Sequence, residues 1–448
     1  MLEDVAVGLE QVLDTFNPVF KTKTHCLTTK VYSYIRGLFK SEKNRANCTS
    51  IADSLGELNH QSFNHLLCDS PWNYQQVLME LSIRANTLLN DYQDVGLLID
   101  EVGFRKKGNH SACVSRQYLG CIGKQDNGQV AVVSGLSVGS HYCPINVHLY
   151  MPNNWANDSK RRAKAKIPEH INFQTKPQLA LSMIKEAKSN GVRFNYVAFD
   201  ALYGNSLDLI CTLNEEKIEF IGDVKGNIQI YTEVPCFKEI EQKQNSRGRK
   251  QKYPQATQKV ISVETYKNKL DVAKDFEKIA FRNGTKQSIA AHFHKKKIWI
   301  CTDKKSGKVI ELQLIIRKDT DGTVKYSIAN MRNKPLKQIA QRQGQRVFVE
   351  KIFEEGKNQL AMGDYQVRSW EGFHKHITLS FLAFYYVAYQ KVKNYKILPL
   401  TAPVIRKLVA STIISKWQSL NDTLDLCLKH LTHYNHHKIR YLNSYAET

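Results

Sequence analysis

Several common features are missing from these 448 residues, and each absence removes a class of protein. No two of the ten cysteines stand in a CxxC pair. A structural zinc site needs ligands closely paired in sequence, so ribbons and fingers are not expected. The histidines of "HLTHYNHHKIR" (His430 to Arg440) also lack partner ligands and read as a basic amphipathic terminal helix. Long apolar runs are missing too. The longest, "ITLSFLAFYYVAY" (Ile377 to Tyr389), is too short to span a bilayer and reads as a buried helix. The opening "MLEDVAVGLEQVLD" is acidic and amphipathic, unlike a secretory signal. The thiols therefore read as reduced, cytosolic core residues. Acidic residues are the last shortage: 42 Asp plus Glu face 64 Lys plus Arg, a formal excess of +22. Such an excess in a folded chain implies a polyanionic partner. With no membrane segment, nucleic acid is favoured over an anionic lipid surface.

What is present is enough to fold. Apolar residues make up 42% of the chain, which excludes global disorder, and the length implies two or three domains. Residues 1–94 carry helix-period apolar positions and no strand signal, so they read as a helical DNA-binding or packing domain. Within it, "CDSPWNYQQVLMELSIRANTLL" offers Ser70 as N-cap and Pro71 as first helical residue. Residues 95–225 turn to short buried strands, with "KQDNG" as a hairpin turn and "KPQLALSMIKEAKSNG" as an amphipathic helix. The expected class is α/β, a mixed sheet with helices. Residues 226–331 read as a mostly β insertion holding the basic loop "KQNSRGRKQKYPQ". Residues 332–397 return to helix, and 398–448 form a basic helical C-terminal region.

Two buried strands end in aspartate: Asp100 closes "GLLID" and Asp200 closes "YVAFD". Ligands of open α/β sheets gather at such strand ends, although strand-end capping accounts for the same pattern. A third carboxylate is offered by "RVFVEKIFEEGK". At roughly 100° per helical residue, Val349, Phe353 and Leu360 set the buried direction. Arg346, Glu350 and Lys357 then fall close to one line on its shoulder. Glu350 is thus the glutamate to hold in a site, with ordinary i,i+4 charge pairing as the alternative. Three converging carboxylates repel one another unless a cation neutralises them, and hard Mg²⁺ or Mn²⁺ prefers oxygen ligands. Two such ions about 4 Å apart support in-line phosphodiester displacement.

At "LLIDEVGFRKKGNHSACVSRQYLGCIGK", "VAFDALYG" and "RVFVEKIFEEGKNQLAMGDYQVRSW" the chain resembles bacterial insertion-sequence transposases of the DDE superfamily. The third stretch is similar to the Tyr-Arg-Glu-Lys signature of that group, with Gln343 where the tyrosine usually stands. The resemblance implies an RNase H-like catalytic core. It implies Asp100, Asp200 and Glu350 as catalytic metal ligands for two Mg²⁺ or Mn²⁺ ions. It places Arg346 and Lys357 on DNA phosphates and Lys106 and Lys107 along the DNA channel. Tyr203 is left between bonding a phosphate and packing on the sheet. Trp299 is left between stacking on an extruded base and lying in a core. The implied activity is binding of terminal inverted repeats, cleavage at the element ends and joining of the 3′-hydroxyls to target DNA. The implied active form is a homodimer on double-stranded DNA, in a bacterial cytoplasm at the nucleoid. Two alternatives are a transposase-derived DNA-binding protein that no longer cuts and a stand-alone RNase H-like nuclease.

Overall fold

A computed structural model describes residues 2–413, apart from 22–25, 43–44, 57–58, 239–252, 285–287 and 398–399. Most of the basic loop at 243–255, and the terminal helix expected around His430 to Arg440, lie outside the described residues.

The described residues among the first ninety are mainly helical, as their periodicity implies, with Thr28–Lys40, Gln61–Cys68 and Tyr74–Leu88 the main helices. The last of these starts later than its sequence suggests. Asn73, not Ser70, is the N-cap, and its side chain accepts from the Gln75 and Gln76 amides. Ser70 is instead drawn to His65, and the Trp72 indole donates to the Leu66 carbonyl, which keeps Pro71 outside the helix.

A ten-stranded mixed sheet forms the centre. In chain order its strands are β1 (Gly96–Arg105), β2 (Ser115–Leu119), β3 (Lys124–Val138), β4 (His141–Leu149), β5 (Tyr196–Phe199), β6 (Phe220–Val224), β7 (Glu277–Asn283), β8 (Ser288–Asp303), β9 (Lys308–Lys318) and β10 (Val324–Ala329). Across the sheet they run β7-β8-β9-β10-β6-β5-β1-β3-β2, with β4 also on β3. Only β1 with β5 and β5 with β6 pair in parallel among these neighbours. The "KQDNG" segment is not the hairpin turn expected of it; it lies in β3, paired with β2. The reversal comes at Gly120 to Gly123, where Gly123 takes φ +65 and donates to the Leu119 carbonyl. Glycine adopts that left-handed conformation without the penalty a Cβ would bring.

The described part of 226–331 is mostly β, yet four of its strands extend the central sheet, through β10 paired antiparallel with β6. Residues alternate between two apolar layers, as strand geometry demands. Leu97, Ile99, Val197 and Phe199 join a large cluster that runs from Val5 to Ile413. Leu98, Tyr196, Ala198 and Ile221 face a second cluster closed by Ile339, Ala340 and Val349. Those last residues come from the helices Leu336–Gln345 and Val347–Gln359, which therefore cover one face of the strands that carry Asp100 and Asp200.

Candidate active site

The parallel register brings three aspartates to one level. Ile99 pairs with Phe199, and Phe199 with Gly222, so the next residue on each strand is Asp100, Asp200 and Asp223. Asp100 is not at a strand end as its sequence implies. β1 continues to Arg105 because its antiparallel pairing with β3 persists, while β5 stops at Phe199. The early stop opens a gap beside Asp100. Asp200 turns the chain there, accepting from the Leu202 amide as N-cap of the short helix Ala201–Gly204.

Oxygens of Asp100, Glu101 and Asp200 lie within 4.8 Å of one another. Glu101 shares the sheet side of Ile99 and Phe199. Its Oε1 accepts from Lys176 at 3.0 Å, while its Oε2 is buried with no hydrogen-bond partner. Burial, then the neighbouring Asp200, pushes the Asp100 carboxyl up to about 8 against the pull of Arg346. Burial and Glu101 raise Asp200 as well. The donors are all hard oxygens, one of them orphaned, and their charges are mutually unfavourable. A divalent hard cation fits this set.

Arg346 links the cluster to Glu350. Its Nη1 stands 3.5 Å from Asp100, its Nε 3.3 Å from Asp223 and its Nη2 3.1 Å from Glu350. Burial alone would depress this guanidinium, and the carboxylates of Asp223, Asp100, Glu350 and Asp200 more than offset it. Glu350 stands outside the oxygen cluster, joined to it only through Arg346, and is open: its side chain is 56% exposed against 15% for Asp100. On the same helix Glu355 is held more tightly, by Lys391 and the Tyr142 hydroxyl, both at 2.8 Å. That pair joins the helix to Trp370–Asn394 and is structural.

The other expected contacts separate. Tyr203 is fully buried, its ring against Phe199 and its hydroxyl beside the carboxylates of Glu101, Asp100 and Asp200, which with burial raise it far above its ordinary value. Lys357 donates to the Gly103 carbonyl at 2.8 Å, and burial lowers its ammonium. Lys106 is turned inward: it donates to the Tyr365 carbonyl at 3.0 Å, lies over that ring, and is lowered by burial to about 7. Lys107 is exposed. Trp299 is half-buried on β8, its backbone bridged to Tyr231. Four strand steps separate β8 from β5, roughly 19 Å at the usual spacing, so Trp299 stands off from the carboxylates. A cavity of about 460 Å³ lined by Tyr74, His148, Met183, Glu186 and His374 also lies apart from them.

Residues 17–288 match the family model of the DDE superfamily endonuclease. The chain belongs to that family. Asp100 and Asp200 fall inside the matched stretch and Glu350 beyond it. The chain is also similar to a probable transposase for insertion sequence element IS701 from Microchaete diplosiphon, 32% identical over 200 residues. That match covers 44% of this chain and 49% of the relative, so the chain spans about half of that protein. Among the described residues no helix is long and apolar enough to cross a membrane.

Two residues escaped the sequence reading. Glu101 follows Asp100 directly, on the other face of the strand, and its carboxylate still reaches the oxygens of Asp100 and Asp200. Asp223 sits in "IGDV", an acid within a buried strand as Asp100 is; the signal was there, but only sheet order makes it a neighbour.

Proposed function

We propose that the protein is a DNA transposase. It binds the terminal inverted repeats of its element, cleaves the phosphodiester bonds at the ends and joins the freed 3′-hydroxyls to target DNA. The observation that carries this reading is the meeting of Asp100 and Asp200 on adjacent parallel strands, with Glu350 one guanidinium away through Arg346. Asp100, Asp200 and Glu350, with Glu101 beside them, would hold two Mg²⁺ or Mn²⁺ ions, which supply the Lewis acidity that in-line displacement requires. Lys176 orients the Glu101 carboxylate through its 3.0 Å bond, and the Tyr203 hydroxyl lies beside the cluster. Arg346 offers a forked donor to a phosphate, and Lys357 a point charge beside Gly103. Lys106, Lys107 and Trp299 contact DNA further along. Lys106 does so only after leaving Tyr365. Synapsis of two element ends requires a homodimer or larger assembly on the bacterial nucleoid.

The test is incubation of end-containing DNA with Mg²⁺ and either wild type or Asp200→Ala. Wild type should release nicked ends and joined products, and the variant neither. Equal nicking by both would remove the catalytic assignment. Cutting without joining would leave a nuclease of the same fold, and binding without cutting a DNA-binding relic.

A further inference from the structure

We infer that Arg346 is a tethered cation: Asp223 holds its Nε edge in place, while its two Nη groups reach to Asp100 and Glu350 until a divalent ion bound at Asp100 displaces Nη1 and frees the fork for a DNA phosphate. The inference rests on the metal site of the transposase reading and deepens it.

The three nitrogens of the guanidinium each meet a different carboxylate, and the three carboxylates are not equivalent. Asp100 belongs to the oxygen cluster that fits a metal; Asp223 is outside it. Glu350 is mostly in solvent, where an ion pair is weak and exchangeable. Asp223 is fixed at one carboxylate oxygen and at its backbone. Its Oδ1 accepts from the Ser327 hydroxyl at 2.6 Å, and Ser327 in turn accepts from the Gln343 side chain. Ser327 is fully buried and Gln343 nearly so. Gly204 packs onto the Asp223 backbone so closely that a Cβ there would meet its carbonyl at 2.0 Å. The relay returns to its own start, because Gln343 stands three residues before Arg346 at the junction of the two covering helices. Gln343 occupies the position where the resembling family usually carries tyrosine. Here it supports the tether rather than facing DNA.

An arginine pinned at one edge keeps its fork near the reaction centre while its partners change. A divalent ion among Asp100, Glu101 and Asp200 takes up the Asp100 oxygen that holds Nη1 inward. The Nη groups then point to the side from which Glu350 is open, where a phosphodiester must approach. Asp223 is thereby a positioning residue that acts through Arg346.

Full-length, DNA-free protein titrated with Mn²⁺ in a calorimeter tests the first half. Arg346→Gln should bind Mn²⁺ roughly tenfold tighter than wild type, since no resident cation has to be displaced. Arg346→Met carries the same expectation should the glutamine variant not fold. Arg346→Lys, which keeps the charge, should stay within about threefold of wild type. Cleavage of end-containing DNA tests the second half. Asp223→Asn preserves the acceptor for Ser327 and should lower kcat by about tenfold or more. That loss should vanish in the Arg346→Gln background, as a double-mutant cycle requires of a residue acting through another. Unchanged or weaker Mn²⁺ binding in the neutral variants, or additive losses in the double variant, overturns the inference. Wild-type Mn²⁺ binding that Asp100→Asn leaves untouched overturns the metal site beneath it instead.

Discussion

Opposing influences converge on the Asp100 side chain. Burial and Asp200 favour its neutral form, Arg346 its ionised form, and burial prevails, with the carboxyl raised from 3.8 to about 8. A folded-state pKa above the unfolded value means the native protein binds the proton more tightly. The linked stability is complete below pH 3.8 and is lost as pH rises toward 8. Without divalent ions, the wild-type unfolding midpoint should therefore be lower at pH 8 than this one group would allow at pH 6. Asp100→Asn removes the ionisation and should raise the metal-free midpoint at pH 8 by a few degrees. Mg²⁺ should raise the wild-type midpoint and leave that of Asp100→Asn nearly still. Differential scanning calorimetry with and without Mg²⁺ reads all three. Cleavage by Asp100→Asn should fall by more than about 100-fold, so the variant is more stable and less active at once.

Strands and helices place these side chains through backbone contacts that leave no room. The turn Ala201–Gly204 lies on β6, and a Cβ on Gly204 would meet the Asp223 carbonyl at 2.0 Å, a backbone atom that cannot rotate away. Gly204→Ala should separate the turn bearing Asp200 from the strand bearing Asp223. A loss of about 1–3 kcal/mol is expected from such overpacking, measured as a lowered denaturant midpoint, with cleavage reduced beyond what stability alone explains. Much at this scale was legible beforehand. The buried direction of Val347–Gln359 follows in part from its spacing: Val349 and Leu360 are fully buried, while Phe353 is only half-buried. The acids closing "GLLID" and "YVAFD" do meet. What stayed hidden depended on partners distant in sequence. Asp100 is mid-strand because β3 keeps pairing with β1 after β5 stops. "KQDNG" extends as a strand because β2 supplies its hydrogen bonds, overriding local turn preference. Asp223 becomes a neighbour of Arg346 only through the order β6-β5-β1.

At the scale of the molecule, the N-terminal helices are fastened to the catalytic core by polar groups inside the helix Trp370–Asn394. His374 stacks on Tyr74 with ring centroids 4.6 Å apart, and His376 bonds the Tyr34 hydroxyl at 2.8 Å and the Ala361 carbonyl at 3.2 Å. Lys375, between them, donates to the Ser70 carbonyl at 2.7 Å and pairs with Glu371. Complete burial holds both imidazoles neutral, each lowered from 6.5 to about 3. Here the sign is opposite to that of Asp100. A depressed histidine contributes its full stability above pH 6.5 and loses it as pH falls toward 3, because the unfolded chain takes up protons that the native state refuses. At pH 5 the loss amounts to about 2 kcal/mol for each ring. Acidification from pH 7 to 5 should thus loosen the join between the N-terminal helices and the core while relaxing the carboxylate cluster. His376→Gln, able to keep one bond to Tyr34 or Ala361, should be less stable than wild type at pH 7 and lose less on going to pH 5. Hydrogen exchange should show the opening first in Thr28–Lys40 and Tyr74–Leu88, before β1 and β5. Equal acid sensitivity of wild type and His376→Gln would place the acid-labile join elsewhere than at His376.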